Sequence, residues 1–93
     1  GGLSMPNLLP APPRLSAAER EVFDHHRVSV EDAAADPEAY FGQDADPGYA
    51  TSRDLQVEDL LSRIDDATIG GDHRWANAAA RLAAKLRKEW GVR

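Results

Sequence analysis

The stretch Asp54–Trp90, DLQVEDLLSRIDDATIGGDHRWANAAARLAAKLRKEW, decides the fold class. In its first half Val57, Leu60, Leu61 and Ile64 fall within one narrow arc of a 3.6-residue period, and Glu58, Asp59, Asp65 and Asp66 take the flank and the back. The cap signal at Thr51-Ser52-Arg53-Asp54 starts that helix, which should end near Asp66. Gly70-Gly71 breaks the pattern, and Asp72 can cap a second helix from His73 to about Trp90. Along it Trp75, Ala79, Leu82, Leu86 and Trp90 step by 4, 3, 4 and 4, an apolar stripe at helical spacing. The two form a hairpin. No segment of the chain alternates as a strand would, so the class is all-α, a small helical domain ending in a two-helix hairpin.

Towards the N-terminus the signals are shorter. Ser16-Ala17-Ala18-Glu19 is a capping box, predicting a helix from about Ala17 to Arg27 with Leu15, Ala18, Val22 and His26 on one face and Phe23 beside them. Ser29-Val30-Glu31-Asp32 offers a fresh start, and Asp36-Pro37-Glu38 another, with Tyr40 and Phe41 before a closing Gly42. This part reads as separate short helical turns rather than one rod. Residues 43–53 contain Asp46-Pro47-Gly48 and no apolar period, a loop or hinge between two helical halves. Residues 1–14 hold Pro6, Pro10, Pro12 and Pro13, which favour an extended, flexible arm, and Gly1 to Ser4 read as a cloning remnant ahead of Met5. Residues 15–93 then make one small domain.

Charge divides the chain. Residues 1–68 carry five Lys or Arg against fourteen Asp or Glu, a net of −9; residues 69–93 carry six against two, a net of +4. Polarisation of this kind serves attraction, to a partner or between the chain's own elements. Arg74, Arg81, Lys85 and Lys88 form a basic row about a quarter turn from the tryptophan stripe, and the acidic flank of the preceding helix could face it and select the antiparallel pairing.

Several chemistries are excluded or poorly supported. With no cysteine there is no disulfide, thiol nucleophile, iron–sulfur ligation or Cys-based zinc site. No run of about twenty apolar residues exists to cross a membrane, and the N-terminus lacks signal-peptide features. Glu21 and His25 are four apart, with Asp24, His26 and His73 available, but no HExxH-like density supports a metal site. No Gly-rich phosphate loop or paired carboxylate pocket points to catalysis, so the expectation is no enzyme activity, no metal and no cofactor. Sixteen Ala and nine Arg against two Lys suggest a GC-rich bacterial source, and a cytoplasmic location is the default.

Trp75 and Trp90 stand about 22 Å apart along the helix, more aromatic surface than a hairpin covers, so either the first helix or a partner must lie on them. The expected function is a non-catalytic protein–protein interaction module: an adaptor, docking element or regulatory subunit. Trp75, Leu82, Leu86 and Trp90 are its apolar anchors, and Arg81, Lys85 and Lys88 its steering charges. Lys85→Glu with Lys88→Glu should slow association and leave helicity intact. The alternative is a nucleic-acid-associated regulator of phage or plasmid origin using the same basic row; a third reading has Glu58, Asp59, Asp65 and Asp66 imitating nucleic acid. Ala76, Ala80, Ala83 and Ala84 offer a small-residue surface for a homodimer. Residues Pro12–Arg20, PPRLSAAER, resemble the opening of some phage terminase small subunits, a proline arm before a capped helix. That resemblance spans nine residues and carries no site residue over.

Overall fold

Each helix begins where a short polar side chain can satisfy its free N–H groups. In the computed structural model, which describes residues 8–44, 48, 49 and 52–91, α1 runs Ala17–Ala35, α2 Pro37–Phe41, α3 Arg53–Ala67 and α4 His73–Trp90. The Ser16 hydroxyl accepts the Glu19 N–H while the Glu19 carboxylate accepts the Ser16 N–H, so the capping box is complete. Asp36 caps α2 with Pro37 at its first position, Ser52 caps α3, and Asp72 accepts from both Arg74 and Trp75 at the head of α4. Gly91, at φ 67°, ends α4 in the left-handed conformation that glycine adopts without strain.

The long helices α1, α3 and α4 each pack against the other two, and α2 is a short appendage on the end of α1. The largest fully buried side chains are Val22 and Val30 from α1, Leu60 and Ile64 from α3, and Leu82 and Leu86 from α4. Each helix thus contributes two, at spacings of four or eight that keep them on one face. Ala78, Ala79 and Ala83 are also buried, and their short side chains let the neighbouring helices approach α4 closely. The predicted hairpin of α3 and α4 is therefore two sides of a three-helix bundle.

One expectation is corrected. The first helix does not break at Ser29; it is continuous from Ala17 to Ala35. The stripe Val22, Phe23, Val30 and Ala33 keeps helical spacing across the serine and is buried throughout. Arg27 also bridges the region, reaching Asp24 at 3.1 Å and Glu31 at 2.9 Å. Burial of one face outweighs the small local preference of Ser29 for a cap. The loop before α3 is pinned by Tyr49, whose hydroxyl donates to Asp59 at 3.0 Å and whose carbonyl accepts from Gln56. Asp46 and Pro47 of the expected turn lie outside the described residues, as do residues 1–7 of the arm. No helix among the described residues is long and apolar enough to cross a membrane.

Candidate partner-binding surface

The amphipathic pattern of α4 sorts its residues into three strips. The first faces inward. Leu82 and Leu86 are completely enclosed, and Trp90 is nearly so. As anchors for a partner these three are corrected: their side chains already fill the bundle's own core. Ala83 joins them, leaving only Ala80 and Ala84 fully exposed from the small-residue surface.

Both tryptophans are covered by α1. Phe23 meets Trp90 edge-on with ring centroids 6.3 Å apart. At the other end His25 and His26 lie against the half-buried Trp75, at 5.7 and 6.4 Å. The first helix, rather than a partner, is what lies over the tryptophan stripe.

The second strip is the pair of flanks, and it ties α4 to its neighbours. The Lys85 ammonium donates to Glu19 Oε1 on α1 at 2.8 Å, and Glu19 is almost wholly buried. On the opposite flank Arg87 pairs with Asp65 on α3. One acidic residue of α3, Asp65, is thus paired by α4, through Arg87 and not through the basic row read from the sequence, while Asp59 pairs with Arg63 of its own helix. Lys85 is likewise corrected from a free steering charge to an internal tie. Its reversal cannot leave the fold untouched, because it would strand the Glu19 carboxylate.

Burial by itself pushes Glu19 up. Hydrogen bonds from Lys85 and Ser16 and the nearby ammonium charge outweigh it, and the carboxyl sits below its ordinary range. Sequence reading placed Glu19 only in a cap. A signal was present: it lies three and four residues before Val22 and Phe23, on the buried stripe of α1.

The third strip faces solvent. Arg74, Asn77, Ala80, Arg81, Ala84 and Lys88 are all exposed. Among the described residues none of Arg74, Arg81 and Lys88 forms an ion pair. Three cations beside two alanines make a basic strip, with Glu21 and Asp72 bordering the same shallow cleft as Arg74 at its N-terminal end.

Two of the three histidines, His25 and His26, pack on Trp75. His26 Nε2 is buried and has no hydrogen-bond partner among the described residues. Burial, then the charges of His25 and Arg63, hold its imidazole below the ordinary value, opposed by Asp66. A depressed imidazole means stability is fully present above the ordinary imidazole pKa and declines as pH falls toward the folded value. Stability should therefore begin to fall as pH drops below the ordinary imidazole value of about 6.5 and go on falling on further acidification. His26→Leu, which removes both the titration and the unpaired nitrogen, should flatten that limb in thermal unfolding. A limb of unchanged slope would assign the titration to another group. No three His, Asp or Glu side chains among the described residues are placed to hold a metal ion.

Comparison of the chain with family models, with curated proteins and with solved structures gives no match in any of the three.

Proposed function

We propose that this protein is a non-catalytic helical interaction module whose α4 face meets an acidic surface on a protein partner, as an adaptor, docking element or regulatory subunit in a bacterial cytoplasm. The observation that carries the reading is the division of labour on α4. Lys85 and Arg87 hold the helix to its neighbours, while Arg74, Arg81 and Lys88 are presented to solvent and form no ion pair among the described residues. In a chain of net charge −5, an unpaired basic strip is a local exception to the field of the rest. Such strips act mainly on encounter rate and orientation. Trp75 belongs to the margin of this surface, half-buried near the Arg74 end.

Nucleic acid is the weaker partner for this geometry. Arg74 to Lys88 spans about 21 Å of helix and offers three free cations, enough to neutralise few phosphates.

The test is retention from nuclease-treated source-cell lysate at low salt, comparing the wild type with Arg81→Glu plus Lys88→Glu. Both substitutions lie on the solvent strip, so the loss of stability should stay within about 1 kcal/mol, mostly from the charge reversal in the last turn of α4. The wild type should retain a stoichiometric protein partner, and the double variant should associate roughly tenfold more slowly, with the gap closing as salt rises. Equal association by both proteins removes the basic face from function. Retention that disappears with nuclease transfers the reading to nucleic acid.

A further inference from the structure

The described half of the proline arm, residues 8–14, does not stand away from the bundle. Leu9 is buried and belongs to the same apolar cluster as Phe23 and Trp90. The Trp90 indole N–H donates to the Ala11 carbonyl at 3.1 Å, and the Lys85 ammonium approaches the Arg14 carbonyl at 3.5 Å. A cleft of about 320 Å³ continues alongside, bounded by Leu9 and Pro12 of the arm and by Arg20, Phe23 and Arg27 of α1.

This is the chemistry by which proline-rich segments are read. Proline fixes φ and favours an extended backbone whose carbonyls have no partners within the segment. A groove that recognises such a segment needs aromatic walls and an outward N–H donor. Here the walls are Phe23 and Trp90, set edge to face, and the donor is the Trp90 indole. The carbonyl it selects belongs to Ala11, immediately before Pro12, where the backbone is biased to the extended form. Leu9 supplies the apolar anchor that gives the segment register.

The Phe23–Trp90 groove, we infer, is a recognition site for a proline-rich segment of a partner protein, with a leucine ahead of an X-Pro step. Residues 8–14 of this chain occupy it in cis as a removable strap. The occupant's chemistry is taken from the segment seated there. Residues 10–13 carry no regular secondary structure, and the strap's polar attachments include the two backbone carbonyls above. A partner segment competes against a tethered copy at an effective concentration of about millimolar, so the strap sets a threshold for binding. This site is separate from the exposed strip of α4, and either can fail without the other.

The test titrates the full-length chain with a synthetic peptide of residues 8–16 carrying a nitroxide label at its N-terminus, observing the ¹⁵N–¹H resonance of the Trp90 indole beside that of Trp75. The peptide should broaden the Trp90 signal more strongly than that of Trp75. Leu9→Ala weakens the cis competitor and should tighten peptide binding roughly tenfold, the change expected from unburying part of a leucine. Trp90→Phe keeps the ring and removes the N–H, and should weaken peptide binding several-fold in a folded protein. A Trp90 resonance that the labelled peptide does not broaden at about millimolar concentration, in both wild type and Leu9→Ala, overturns the proposal. So does a concentration-dependent dimer of the wild type that Leu9→Ala abolishes, since the groove would then take the arm of a second copy.

Discussion

Leu82→Ala is expected to lower the unfolding free energy by about 4 kcal/mol, in the upper part of the range for a leucine truncated in a packed core. The side chain is fully enclosed, in a cluster with Val22, Leu60, Ile64 and Leu86. Truncation removes the apolar area it buries and leaves a cavity whose cost depends on how far the surroundings can collapse. Here they can do little. Of its neighbours on the inner face of α4, Ala78, Ala79 and Ala83 have no side chain long enough to swing into the space, and Leu86 is itself fully enclosed in the packing. Total stability for a domain of this size is about 5–15 kcal/mol, so the substitution removes a large fraction of it. Chemical denaturation followed by helix circular dichroism reads the change as a lower midpoint with little change in slope. A wild-type midpoint, with loss confined to partner binding, would return Leu82 to the role of a surface anchor.

That experiment separates two roles the sequence leaves superimposed. The apolar stripe of α4 has the same spacing whether α1 covers it or a partner does, because periodicity reports which face is apolar and not what lies against it. The starts of the helices were legible for a different reason: Ser16, Asp36, Ser52 and Asp72 act on N–H groups two or three residues away. The continuity of α1 through Ser29 depends on Val30 and Ala33 meeting the bundle, contacts that no local rule contains. The Glu19–Lys85 pair joins residues 66 apart and the Trp90–Ala11 contact residues 79 apart. A proline-rich arm looks the same in sequence whether or not a groove in its own chain receives it. The basic row was visible as a row; which members were already paired was not.

Lys85→Glu should destabilise the fold by about 3 kcal/mol at neutral pH, the low end of the range for breaking a buried ion pair, because Lys85 itself reaches solvent. The loss comes from Glu19, whose side chain is only 3% exposed and cannot recover water when its ammonium partner is removed. Exposed Lys88, three residues on and without an ion pair among the described residues, is the control, and Lys88→Glu should cost no more than about 1 kcal/mol, the effect of reversing a charge in the last turn of α4. The pH dependence gives a sharper signature. In the wild type Glu19 is held below the ordinary carboxylate range, so its contribution is present above that range and lost as acid is added. In the variant burial acts without the ammonium and a second negative charge is added, which raises Glu19 above the ordinary value. Protonation then relieves the fold, and the variant gains stability relative to the wild type as pH falls through about 6 to about 4. The two denaturation profiles should converge on acidification. Adding Glu19→Gln to Lys85→Glu should recover most of the loss at neutral pH, since glutamine serves the capping box equally and brings no charge into the site. A gap that stays constant from neutral pH to acid would show that Lys85 acts through packing of its aliphatic stem and not through Glu19.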